Sequence, residues 1–174
     1  MSDSIHKRSQ WKSYERVLSF ICRTQKPKTI LEWGPGHSSQ VILNNCDSDC
    51  SVLSVEHNHK YFMEAADRFS KNGNIELSCR SISLRGGQSA GYVTYPVLRS
   101  INCHGKEKPE YDLVFVDGRY RYDCMIAARS ILKPEGVLVL HDSDRPSYAP
   151  AMSSYAYLRH FPEHRTSVMS NGNN

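Results

Sequence analysis

Four hydrophobic runs in this chain end in side chains that can take a proton, hold a hydroxyl or ligate a cation. Ile30-Leu31-Glu32-Trp33 runs into Gly34-Pro35-Gly36-His37-Ser38, and Ser51–Val55 into Glu56. Leu113–Val116 runs into Asp117-Gly118, and Val137–Leu140 into His141-Asp142. A glycine turn lets backbone approach a ligand closely, and the helix after it offers unpaired N–H groups. An acid about twenty residues further on, at the end of the next strand, is placed to accept the hydroxyl hydrogens of a ribose. Asp117, His141 and Asp142 are candidates for moving an acceptor's proton, or for ligating a metal.

The turn itself discriminates between cofactors. A dinucleotide fingerprint requires G-x-G-x-x-G, whereas this turn reads Gly34-Pro35-Gly36-His37-Ser38-Ser39 and lacks the third glycine. Glu32 stands just before it. A carboxylate there repels a pyrophosphate and suits a cationic amino-acid group.

These residues can form one site only if the runs are neighbouring parallel strands, because open parallel sheets bind ligands outside their carboxyl ends. The pattern supports that. Ser4 to Arg23 has amphipathic helical spacing, closed by Lys26-Pro27-Lys28. Thr29–Trp33 and Ser51–Glu56 read as buried strands, with a helix between them that Ser38 or Ser39 can cap. His59–Ser70 is helical, with Tyr61, Phe62, Ala65, Ala66 and Phe69 on one broad face, and Ile75–Leu84 reads as a third strand. The segment 85–110, rich in glycine and proline, is expected to be an irregular loop or lid. Asp112–Gly118 is a strand, Arg121–Leu132 a helix, Lys133–Gly136 a turn and Val137–Leu140 a strand. Tyr148–Phe161 is predicted to be helical, Arg165–Met169 a last strand and 170–174 a disordered tail. Apolar strands without polar alternation imply a parallel sheet covered on both faces. The expectation is a single α/β domain over 1–174, a Rossmann-like open, mostly parallel sheet with helices on both faces.

The bulk numbers fit a soluble globular protein: 174 residues, 23% charged and 39% hydrophobic, with mean hydropathy −0.55. A net charge of +4 spread along the chain does not argue for a nucleic-acid partner. The six cysteines (22, 46, 50, 79, 103 and 124) contain no C-x-x-C pair and read as reduced thiols. Without an apolar run long enough to cross a bilayer, or a secretory leader, the expected location is cytoplasmic, with no membrane insertion. An exposed amino-terminal helix on a short α/β domain also permits a homodimer.

ILEWGPGHSS, SVEHNHKYF, YDLVFVDGRYR and LKPEGVLVLHDS, in that order from about Thr29 to Asp144, resemble the successive motifs of the class I S-adenosylmethionine-dependent methyltransferases. The resemblance implies that Glu32, Gly34, Gly36 and Ser38 line the methionine part of the cofactor. It implies that Glu56, with His57 beside it, binds the ribose, that Ser81 and Ile82 lie near the adenine, and that Asp117 sits beside the methyl-transfer site. The end of the pattern resembles small O-methyltransferases in which an acid after the fourth strand and an acid–amide pair after the fifth hold a divalent cation such as Mg2+. Asp117 and Asp142 match two of those positions, and Ser143 stands where the amide would be. The wording also resembles bacterial methyltransferase-like proteins of no established substrate. Two features depart from the pattern: the carboxyl end leaves little room for a closing strand pair after Phe161, and the amino-terminal extension is too brief for a substrate-binding cap.

Among acceptor contacts, Tyr92 and Tyr95 could stack on a substrate, and Arg119, Tyr120 or Arg121 could meet an anionic one. The expected activity is O-methylation of a small hydroxyl-bearing acceptor. The alternatives are a non-catalytic cofactor-binding domain acting as a partner subunit, and an NAD-dependent oxidoreductase.

Overall fold

The computed structural model describes residues 14–80, 90–101 and 110–172. Chain order is α1 (Glu15–Gln25), β1 (Thr29–Trp33), α2 (His37–Asn45), β2 (Ser51–Glu56), α3 (His59–Phe69), β3 (Ile75–Cys79), α4 (Ala90–Ile101), β4 (Tyr111–Val116), α5 (Arg121–Ala128), β5 (Leu132–His141), α6 (Ala149–Met152), β6 (Tyr157–Phe161) and β7 (Thr166–Ser170). The seven strands lie in the order β3-β2-β1-β4-β5-β7-β6. β1 to β5 are mutually parallel, while β7 runs antiparallel to both β5 and β6.

Alternation along the strands sorts the core into two layers. Ile30, Val52, Leu113, Phe115 and Val139 pack with Val17, Leu18 and Ile21 of α1 and Val41 and Ile42 of α2. Leu31, Trp33, Val55, Val116 and Leu140 face the other way, against Tyr92 and Val93 of α4, Cys124 and Met125 of α5, and Met152 of α6. Both faces of the central strands are therefore buried, which is why they read as unbroken apolar runs.

Several expectations are corrected. Much of the anticipated loop 85–110 is the helix α4, despite the proline at 96. Pro96 has no N–H for the carbonyl four residues earlier, that of Tyr92. The indole of Trp33 donates to that carbonyl instead, at 3.1 Å, so the break in the helix ladder becomes a tie to β1. The remainder of that segment, and residues 4–13 of the predicted amino-terminal helix, lie outside the described residues. The turn Lys133–Gly136 is an outward bulge within β5: between Tyr111↔Leu132 and Leu113↔Val137, two steps on β4 meet five on β5.

The carboxyl end differs most from expectation. Tyr148–Phe161 is not one helix but a single 3-10 turn, the short α6 and the edge strand β6. The closing strand pair judged to lack room is present as β6–β7, turned through Pro162–His164. Ser170 ends β7, and the Asn171 amide donates to the Arg129 carbonyl at 3.1 Å, so 170–171 are not a loose tail. Among the described residues no helix is long and apolar enough to cross a membrane. The described cysteines, 22, 46, 50, 79 and 124, are all free.

Candidate active site

β1 lies between β2 and β4, so the chain leaves it in opposite directions and opens a crevice at its carboxyl end. Trp33 is in register with Val55 on one side and Val116 on the other. The ladder continues one step: Gly34 N–H donates to the Val55 carbonyl and Asp117 N–H to the Trp33 carbonyl, both at 3.0 Å. Gly34, Glu56 and Asp117 thus emerge side by side. They line a cleft of about 630 Å3, together with Gly36, His37, Ser38, His57, Arg119 and Tyr120. That volume is in the range of ligand sites, roughly 300–1,000 Å3.

Gly34 is required by geometry. Its φ is +93°, and a Cβ there would lie 2.8 Å from the Cα and N of Gly118. The turns after β1 and β4 are pressed together backbone to backbone. At Gly36 a Cβ would meet nothing within 4 Å, so the turn opens onto free space there. Gly36 caps α2 at its amino end, and its N–H donates to the Ser39 hydroxyl at 3.0 Å, a role other than the serine cap expected.

Glu56 is 4% exposed. Its Oε1 accepts from the N–H groups of His57 and Asn58, each at 2.7 Å, while Oε2 carries no hydrogen bond among the described residues. One oxygen fixes the carboxylate and the other is left to accept from a ligand, as the hydroxyl donors of a ribose diol require. Ser81 and Ile82 lie outside the described residues.

Glu32 does not line the cleft. It shares the face of Ile30 and is fully buried, accepting from the hydroxyls of Ser38 at 2.5 Å, Ser39 at 2.7 Å and Ser54 at 2.7 Å. It fastens the first turn of α2 to β1 and β2, and of its three serine partners Ser38 lines the cleft. Burial raises the pKa of Glu32 to about 7, against the pull of the three serines and with help from Asp117. The folded protein therefore keeps a proton that the unfolded chain releases near 4.5. Stability is lost as pH rises through this window, by about 3 kcal/mol in all. Urea melts from pH 5 to pH 8 should show this decline, and Glu32→Gln should flatten it by about that amount. An identical slope in the variant would remove Glu32 as its source.

His141 and Asp142 also lie behind the cleft wall rather than in it, a correction to their expected catalytic place. His141, 5% exposed, sets Nδ1 2.8 Å from Oδ1 of Asp117 and packs edge-on against the ring of Tyr14. Asp142 faces three guanidinium groups, those of Arg121, Arg145 and Arg165. Ser143 turns away to β7, where its hydroxyl accepts from that of Ser167 at 2.9 Å. Among the described residues no group of three or more His, Cys, Asp or Glu side chains is placed to hold a metal ion.

Tyr92 is not positioned to stack on an acceptor. It is fully buried, with its ring against His57 and its hydroxyl pressed on Gly118, as a strut beneath both turns. Tyr95 packs its ring under the Arg80 guanidinium, 3.7 Å away, and does not line the cleft. Arg119 and Tyr120 do line it and are exposed.

Sequence reasoning missed Tyr14, Tyr61, Arg145 and Tyr148, which also line the cleft. Tyr61, assigned to the core face of α3, is 56% exposed. Tyr14 and Glu15 bring α1 to the cleft, where Glu15 pairs with His37. No local signal marks these residues, because long-range packing brings them there.

No family model and no curated protein matches the chain. Solved structures do. A methyltransferase-like protein from Silicibacter pomeroyi is 18% identical, with a TM-score of 0.70 over 93% of this chain and 86% of that one. The O-methyltransferase TomG from Streptomyces achromogenes, involved in tomaymycin synthesis and solved with S-adenosylmethionine, is 14% identical, with a TM-score of 0.64 over 95% and 89%. An O-methyltransferase from Bacillus cereus, solved with S-adenosylhomocysteine, is 12% identical, with a TM-score of 0.64 over 91% and 80%. At these identities the likeness is one of architecture, and the chain has the fold of the class I S-adenosylmethionine-dependent methyltransferases.

Proposed function

We propose that this protein is an S-adenosylmethionine-dependent methyltransferase acting on a hydroxyl of a small acceptor. The observation that carries the reading is the convergence, in one cleft, of the Gly34–Gly36 turn, the open Oε2 of Glu56 and Asp117. The cofactor would supply a methyl group on a sulfonium, to which an acceptor oxygen would bond in line as the methyl–sulfur bond breaks and the thioether leaves with the electron pair. What the protein contributes is position, and a place for the acceptor's proton.

Glu56 grips the ribose with Oε2, and the turn at Gly34 and Gly36 admits the methionine part. Asp117 stands one strand over. Its Oδ1 is engaged by His141 Nδ1 and Arg121 Nη2, each at 2.8 Å, while Oδ2 is unused among the described residues. Oδ2 orients the acceptor hydroxyl and receives its proton. Tyr120 and Arg119 border the open side, and Arg119 has no charged partner among the described residues, which favours an acceptor bearing a carboxylate or phosphate.

Calorimetric titration with S-adenosylmethionine and with NAD tests the cofactor, and a screen of phenolic and sugar acceptors read by mass tests the transfer. Binding of S-adenosylmethionine without NAD, with a 14-dalton gain on an acceptor, is the expected result. NAD binding alone would sink the proposal, and S-adenosylmethionine binding with no transfer to any acceptor class would favour the partner-subunit alternative.

A further inference from the structure

The two carboxylates that the resemblance assigns to a divalent cation are already bridged by a side chain of this protein. Arg121 opens α5, and its side chain is 11% exposed. Nη2 lies 2.8 Å from Asp117 Oδ1, and Nη1 lies 3.3 Å from Asp142 Oδ2. The rest of the fork is used as well: Nε donates to the Gly118 carbonyl at 3.0 Å, Nη1 to that of His141 at 2.5 Å and Nη2 to that of Asp117 at 3.0 Å. A guanidinium has five N–H donors, and here five acceptor oxygens surround it.

A metal ion does not fit beside this group. Asp142 also faces Arg145 Nη2 at 3.2 Å and Arg165 Nη1 at 3.1 Å, so each of its oxygens lies beside a cation. An incoming divalent ion would meet three positive charges and would have to displace a guanidinium that donates three hydrogen bonds and pairs with both acids. The third ligand is also missing, because Ser143 is committed to β7. Removing Arg121 alone would leave Asp142 with Arg145 and Arg165 but Asp117 with only His141 among the described residues, so the penalty of a broken, part-buried ion pair falls on Asp117.

We propose that Arg121 is a built-in cation, standing between the ends of β4 and β5 where a metal would otherwise sit, so that the site works without a divalent ion. The same contacts make Arg121 a positioning residue. It holds Asp117 by Oδ1 and leaves Oδ2 without a partner among the described residues. The inference deepens the methyltransferase reading and rests on it for the purpose of the cleft, but its test needs neither cofactor nor acceptor.

The test is Mn2+ uptake by the wild-type protein, followed by electron paramagnetic resonance, alongside melting temperatures with and without EDTA. The wild type should take up no stoichiometric Mn2+ at millimolar concentration and should melt identically with the chelator. Arg121→Met should melt on the order of 10 °C lower, and adding Asp117→Asn to it should recover part of that loss. Arg121→Lys, which keeps the charge but has three donors, should fall between wild type and Arg121→Met, and it provides the comparison if Arg121→Met does not fold. One equivalent of Mn2+ bound by the wild type, or an unchanged melting temperature in both Arg121 variants, would overturn the proposal. Either result would leave S-adenosylmethionine binding to be judged on its own titration.

Discussion

Gly34→Ala lowers the melting temperature by on the order of 10 °C and abolishes tight binding in the cleft. Two costs combine at this position. The backbone at φ +93° disfavours a side chain, a penalty of roughly 1–2 kcal/mol. The new Cβ would also lie 2.8 Å from the Cα and N of Gly118, and that backbone, tied to β1 one residue earlier by the Asp117 N–H to Trp33 carbonyl bond, cannot move aside without strain of about 1–3 kcal/mol. At roughly 2–4 °C per kcal/mol for a chain of this size, the sum gives the stated shift. Gly118→Ala supplies the control. Its Cβ would collide chiefly with the Tyr92 hydroxyl, at 1.9 Å, so Tyr92→Phe should relieve much of that defect. No single substitution should relieve the one at Gly34. Thermal melts of the two single variants and of Gly118→Ala/Tyr92→Phe decide the matter. Equal melting of Gly34→Ala and wild type would mean that the two turns are not pressed together.

The alternation that sorts the strands was readable in the sequence, and it contained more than was drawn from it. Thr29–Trp33 and Ser51–Glu56 form as predicted, because continuous apolar runs between turn signals leave little choice. The same period of two places Glu32 with Ile30 and Ser54 with Val52, on the face covered by α1 and α2. Its charge before the turn and the motif resemblance both assigned Glu32 to the cofactor, whereas strand parity assigns it to the serines behind the turn. The order of motifs gave the parallel half of the sheet. The antiparallel β6–β7 pair was hidden because Tyr155, Tyr157, Leu158 and Phe161 fit a helical stripe as well as an edge strand. Pairing with β7 decides between them, and pairing is not local.

For the site, what could be read was whatever stands immediately after a strand. Gly34, Glu56 and Asp117 come together because the sheet order sets their strand ends side by side. Side-chain direction was beyond reach. His141 and Asp142 are adjacent to the cleft in sequence terms but turn into a network with Asp117 and three arginines. The sequence YDLVFVDGRYR contains Arg121 four residues after Asp117, an i,i+4 spacing that hints at a pair. Nothing in it tells that the same guanidinium reaches the end of β5. Tyr92 was misread for a related reason: a proline inside a glycine-rich segment suggests a loop, and only the Trp33 indole on the orphaned carbonyl shows why a helix survives there.

Glu56→Gln should separate the grip on ribose from the support of the loop. In the wild type Oε1 accepts two backbone N–H groups at 2.7 Å, and a glutamine carbonyl can keep both. Its amide nitrogen then replaces Oε2, so a site that accepted hydrogen bonds from a diol becomes a donor without charge. Hydrogen bonds to a charged acceptor contribute about 1.5–3 kcal/mol each. Losing one or two of them weakens binding by roughly 10- to 10,000-fold. Folding should change little, since the backbone contacts persist. Glu56→Ala should lose affinity and stability together, because it leaves the N–H groups of His57 and Asn58 without that acceptor. Titration with S-adenosylmethionine and a melt of each variant read the two effects apart. Full affinity in Glu56→Gln would mean that Glu56 braces the loop and that the ribose is held elsewhere.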